Sequence, residues 1–131
     1  MGDELDTDWT LSTDWVVEQE LRDKRNILIH TQLNKGKIVV FRSSGSSLWP
    51  RVRSNDLCFY APVIFEEQIA LDDIIFCKPQ PKGYYYAHVV SVKEWDYQNY
   101  CWAYWISNLK GHYNGWCHKK HIFGRLFEVS R

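Results

Sequence analysis

The chain reads as a mainly β protein, an antiparallel β domain with a short N-terminal helix. Two observations predict this class. Segments 37–42, 56–60, 72–78, 84–92, 100–106 and 121–129 are rich in Val, Ile, Tyr, Phe and Trp, residues that suit a pleated, half-buried surface. Turn signals fall between the later segments, at Pro79-Gln80-Pro81-Lys82-Gly83, Asp96-Tyr97-Gln98-Asn99 and Asn114-Gly115. Short strands at regular spacing with such punctuation predict an antiparallel sheet or a small barrel.

In chain order, residues 1–13 read as an acidic flexible leader. Residues 14–36 read as a helix and its connector. Thr13 or Asp14 caps a helix starting near Trp15, with Val16, Val17 and Leu21 on its apolar face and its end near Arg25. The short apolar run Ile27-Leu28-Ile29 follows, and Asn34-Lys35-Gly36 makes a turn. The β domain fills 37–131. At 131 residues, 45% hydrophobic and 16% aromatic, the chain supports one packed core and is not disordered. Its longest nearly apolar run, Leu57 to Phe65, is interrupted by Pro62. A spanning helix takes about 20 apolar residues, so no membrane anchor is expected. No apolar signal region is visible at the N-terminus, and the reading is a soluble, intracellular, cytoplasmic protein.

Four cysteines (Cys58, Cys77, Cys101, Cys117) form no C-x-x-C pair and read as free thiols, three of them in apolar stretches. Cys117, His118 and His121 match no common zinc spacing, so neither metal nor cofactor is expected. Charge is unevenly spread. Residues 1–23 hold eight of the sixteen acidic residues and one base, leaving fifteen bases against eight acids in the rest. A basic body with an acidic leader predicts anionic partners or a leader that docks on its own body.

The stretch Ser43-Ser44-Gly45-Ser46-Ser47-Leu48-Trp49-Pro50 stands between two strand-like runs and reads as a sharp turn. A serine on such a turn can present its hydroxyl and amide to one point, as a nucleophile and its oxyanion hole require. His88, in Tyr84-Tyr85-Tyr86-Ala87-His88-Val89-Val90, shares one strand face with Tyr84, Tyr86 and Val90. Its imidazole can accept a serine proton near neutral pH.

The order of these pieces carries a resemblance. From about Lys37 to Val129 the chain resembles the serine peptidase superfamily of LexA-type repressor proteases and signal peptidases. Gly45-Ser46-Ser47-Leu48-Trp49-Pro50 is similar to the family's G-x-S-M-x-P nucleophile box, with Leu48 in place of Met. Asn55-Asp56-Leu57 and Asp72-Asp73-Ile74-Ile75-Phe76 are similar to its two G-D-apolar boxes without their Gly. His88 falls where bacterial members carry a catalytic Lys and the signal peptidases of the endoplasmic reticulum carry a His. The tail Ile122-Phe123-Gly124-Arg125 resembles the closing strand.

The resemblance implies a signal-peptidase/LexA-like β domain and a soluble serine endopeptidase with no cofactor, acting on a peptide or protein substrate held as an added strand. Ser47 would be the nucleophile, His88 the general base, and the Gly45–Ser46 turn with the Ser47 amide the oxyanion site. The family's last box, which supplies an acid, corresponds here to Ile106-Ser107-Asn108-Leu109-Lys110-Gly111-His112. No Asp or Glu occurs between Asp96 and Glu128, so Asn108 or Ser107 is the expected partner of His88. Two other readings compete. One is an inactive peptide-binding or interaction module of the same fold. The other is a nucleic-acid-binding β domain using Arg42, Arg51, Arg53, Lys119, Lys120 and Arg125 with exposed aromatics.

Overall fold

A computed structural model describes residues 15–131, with side chains from Leu21 onward. It is mainly β: one N-terminal helix, then seven antiparallel strands in a single open sheet. The elements are α1 (Trp15–Asn34), β1 (Val39–Arg42), β2 (Leu57–Pro62), β3 (Ile74–Cys77), β4 (Tyr86–Asp96), β5 (Cys101–Ser107), β6 (Tyr113–Cys117) and β7 (Ile122–Ser130). In space the order is β1-β2-β7-β3-β4-β5-β6. The leader and the expected caps Thr13 and Asp14 lie outside the described residues. Among those described, no helix is long and apolar enough to cross a membrane.

α1 runs well past the end expected at Arg25. Ile29 and Leu33, one turn apart, are both buried against the sheet, and that packing carries the helix through a polar stretch. It stops where the sequence signals a turn: the Gly36 amide donates to Leu33 O and the Lys37 amide to Gln32 O, a glycine-based C-terminal cap. Leu33 sits directly on Gly124 of β7, where an added Cβ would lie 2.8 Å from Leu33 Cδ1.

β3 is buried on both faces, and its alternation divides the core. Ile74 and Phe76 pack with Ile29, Leu33, Leu48 and Tyr60 on the helix side. Ile75 and Cys77 pack with Ile69, Val90, Tyr104 and Ile106 on the other. Most predicted strands are present with shifted ends; β4, expected to stop at Val92, continues to Asp96.

The largest departure is β6. Asn114-Gly115, expected to be a turn, lies inside that strand. Tyr113 pairs with Ser107 and Gly115 with Ile106, leaving Asn114 as the extra residue of a β-bulge. The bulge needs its glycine. Gly115 has φ +128°, and a Cβ there would fall 2.2 Å from the Gln80 carbonyl oxygen. Gln80 pairs with the next residue in both directions, its amide donating to Trp116 O and accepting from the Trp116 amide at its own carbonyl. The backbone therefore cannot simply move away. Gly115→Ala is expected to cost about 3 kcal/mol, from the disfavoured φ and the backbone clash. That corresponds to a fall of roughly 10 °C in melting temperature for a domain of this size, measured by thermal denaturation.

Candidate functional site

The Ser47 turn is pinned from three sides. At its base the Ser43 amide donates to Asp56 O and the Asn55 amide to Ser43 O, each at 2.9 Å. Leu48 and Val52 are buried, anchoring the turn in the helix-side core. From the far side the Leu109 amide donates to Ser47 O at 2.9 Å, tying the turn to the β5–β6 loop. Gly45 takes φ +78° at the entry, a conformation that glycine adopts without steric cost. The amides of Gly45, Ser46 and Ser47 make no hydrogen bond among the described residues.

His88 comes to this turn from β4. It is buried on the strand, paired with Ile75 of β3, and its ring lies against that of Tyr86. Both ring nitrogens have partners: Nε2 is 3.1 Å from Ser47 Oγ and Nδ1 is 2.5 Å from Asn114 Oδ1. A carbonyl oxygen only accepts, so Nδ1 carries the hydrogen and Nε2 presents its lone pair to the Ser47 hydroxyl. Asn114 reaches His88 for two topological reasons. β5 ends at Ser107, opposite Val89 and one residue short of His88. The bulge then aims the unpaired Asn114 into that gap.

Burial pushes the His88 pKa below its ordinary value, and nearby His112 acts in the same direction, while the hydrogen bond to Asn114 opposes them. The ring is thus neutral at pH 7, as a proton acceptor must be. A cleft of about 330 Å³ opens beside it. Ser43, Ser47 and Leu48 line one side, Tyr85, Tyr86 and His88 another, and Phe41 and Phe76 are aromatic lining. Arg25 of α1 reaches the same cleft, its guanidinium 5.5 Å from the Phe41 ring centre.

Ser47 and His88, predicted apart in sequence, are therefore brought together, with Gly45 and Ser46 at the adjoining turn. Ser46 Oγ accepts from Lys110 Nζ at 3.0 Å. Neither of the two expected base-orienting side chains hydrogen-bonds His88. Asn108 Oδ1 caps its own loop, accepting from the Lys110 and His112 amides. Ser107 faces across the strand pair to the Ser91 hydroxyl. Asp56 and Asp73 are turn caps, Asp56 Oδ2 accepting from the Arg53 amide and Asp73 Oδ2 from the Ala70 amide. Asn114 holds the place instead. Its one signal in the sequence was the following glycine, which marks a bulge as well as a turn.

Comparison of the chain with family models, with curated proteins and with solved structures finds no match.

The His88 environment has a direct spectroscopic consequence. By NMR its imidazole should titrate below the ordinary value of 6.5. Asn114→Ala should lower that midpoint further, because the opposing hydrogen bond is lost. Asn114→Asp should raise it, because an adjacent carboxylate favours the charged ring.

Proposed function

We propose that the protein is a serine endopeptidase-like domain of the signal-peptidase/LexA type, cleaving an extended peptide with Ser47 as nucleophile and His88 as general base. The observation that carries this reading is the continuous line from Ser47 Oγ through both His88 nitrogens to Asn114 Oδ1. Such a serine–base–orienter line is the signature of an activated nucleophile. A Ser–His contact alone would also satisfy a buried histidine. The adjoining cleft and the unengaged turn amides favour chemistry over mere satisfaction.

In the proposed reaction Ser47 Oγ attacks the scissile carbonyl carbon as its proton passes to His88 Nε2. The carbonyl oxygen becomes an oxyanion facing the Ser47 amide and its neighbour in the Gly45–Ser46 turn. Collapse breaks the C–N bond, and the Nε2 proton leaves on the departing amine. An ester on Ser47 remains. Water then attacks the ester, giving its proton to Nε2, and collapse returns that proton to Ser47 with release of the acid product. Asn114 accepts from Nδ1–H throughout, holding the ring's orientation. β1 is an edge strand of the sheet, so a substrate can lie extended along it, with side chains alternating into the cleft.

Ser47→Ala is expected to abolish both peptide cleavage and labelling by a fluorophosphonate probe, and to cost about 1–3 kcal/mol of stability because buried His88 Nε2 loses its partner. Undiminished cleavage by the purified variant would remove Ser47 from the reaction. With His88 depressed, activity should fall with acid through a midpoint below the ordinary imidazole value of 6.5. Asn114→Asp should raise turnover about tenfold, since a hydrogen bond to a charged partner is stronger by about 1–1.5 kcal/mol, and should move the acid limb upward.

A second reading has its own observation. A cleft of about 630 Å³, lined by Lys78, Lys82, Lys119 and Lys120 with His30 and His121, has no carboxylate among the described residues of its wall. This favours an anion such as single-stranded nucleic acid. Binding of a fluorescent oligonucleotide that falls steeply with salt and weakens in Lys78→Gln and Lys119→Gln would support it. Salt-insensitive or absent binding would remove it.

A further inference from the structure

At the opposite end of β4, three chemically different donors converge. Asp96 and Cys101 face one another across the last pair of the β4–β5 hairpin. His118 follows Cys117, which pairs with Tyr104, so His118 stands beside Ala103 and diagonal to Cys101 on the same face. The small side chain of Ala103 leaves room between them. The ligand atoms of Asp96, Cys101 and His118 all lie within 4.8 Å of one another, with Asp96 Oδ2 and His118 Nε2 3.0 Å apart.

We propose that Asp96, Cys101 and His118 form a binding site for a divalent zinc-type cation, open at its fourth position. The donor set selects the metal: thiolate and imidazole favour zinc over magnesium or calcium, which take oxygen ligands. In a tetrahedron with zinc bonds of 2.0–2.3 Å, the donors stand about 3.3–3.8 Å apart. Closing from 4.8 Å takes side-chain rotation, with no movement of the sheet.

Two of the three ligands are also held by neighbours. Asp96 Oδ1 accepts from the Gln98 and Asn99 amides, and Oδ2 from the Asn99 side-chain amide. The His118 amide donates to His121 Nδ1, and its ring lies 4.9 Å from that of Trp116. A cleft of about 450 Å³ walled by Trp105 and Trp116 adjoins Asp96 and His118. The fourth position therefore faces a space fit for water or a small ligand donor, the arrangement of exchangeable rather than purely structural zinc. On binding, the Cys101 proton passes to solvent as the thiolate takes the metal.

The site is distinct from the serine cleft. Asp96 stands eight positions along β4 from His88, about 26 Å along a strand. Its spacing in sequence, with five residues from Asp96 to Cys101 and seventeen more to His118, resembles no zinc motif; strand register alone assembles it.

Cobalt(II) titration of the metal-stripped full chain tests the site. The expected result is one equivalent bound, with the strong visible bands of tetrahedral cobalt and a near-ultraviolet thiolate-to-cobalt band, both displaced by zinc. Cys101→Ala should abolish the thiolate band, and Cys101→Ala and His118→Gln should each weaken zinc binding more than about 100-fold, beyond the range typical of losing a residue that only supports a ligand. Near-ultraviolet circular dichroism checks that each variant is folded. Faint six-coordinate spectra, no binding, or a thiolate band that survives in folded Cys101→Ala would overturn the proposal. Zinc K-edge absorption on the wild-type protein decides without any variant: one sulfur ligand is expected, and none would overturn it.

Discussion

The backbone of Gln80 lies so close to Gly115 that a single added carbon would collide with its carbonyl oxygen. The geometry of the serine cleft follows from that contact. Because Gln80 is locked to Trp116 by a reciprocal pair of hydrogen bonds, β6 cannot relax into regular pairing with β5. The bulge that results releases Asn114 from the ladder. On the other side of the gap, β5 stops at Ser107, and the loop that follows is folded back on itself through Asn108. That loop donates the Leu109 amide to Ser47 O. One end of the β5–β6 hairpin thus places the Ser47 turn and the residue behind His88.

This arrangement also answers a solvation requirement. A buried imidazole must find partners for both nitrogens or carry the cost of desolvating them, about 1–3 kcal/mol for each group left unsatisfied. His88 finds them in Ser47 and Asn114. The chain is directional, since the Asn114 carbonyl dictates the tautomer and leaves the lone pair toward Ser47. A structural histidine gains as much from any two partners. What sets this one apart is a serine on a turn whose neighbouring amides are unengaged, beside a cleft that reaches the edge strand.

Much of this was legible in the sequence, because the strands announce themselves through β-branched and aromatic runs and the Ser47 turn through its Gly and Pro. The parts that were not legible depend on tertiary contacts. The polar stretch around Arg22–Asn26 hid the extension of α1, which exists because Ile29 and Leu33 bury against the sheet. Asn114-Gly115 reads locally as a turn, and only the distant Gln80 makes it a bulge. Asn108 and Ser107, within the expected segment, are passed over because their side chains are committed to the loop and to Ser91. Asp96, Cys101 and His118 were invisible as a group, since their nearness is a property of register.

The neutrality of Asn114 has a cost and a use on the proposed reading. A carboxylate in its place would stabilise the imidazolium that forms as Ser47 attacks, so a neutral partner lowers the attainable rate. A carboxylate there, however, would itself have to be partly desolvated, and among the described residues no cationic side chain hydrogen-bonds Asn114 to compensate it. It would also draw a proton onto His88 at rest, raising a pKa that burial now holds down. With Asn114 the resting imidazole is neutral at pH 7 and oriented toward Ser47. On that reading orientation is retained, charge stabilisation is relinquished, and proton transfer from Ser47 is slow.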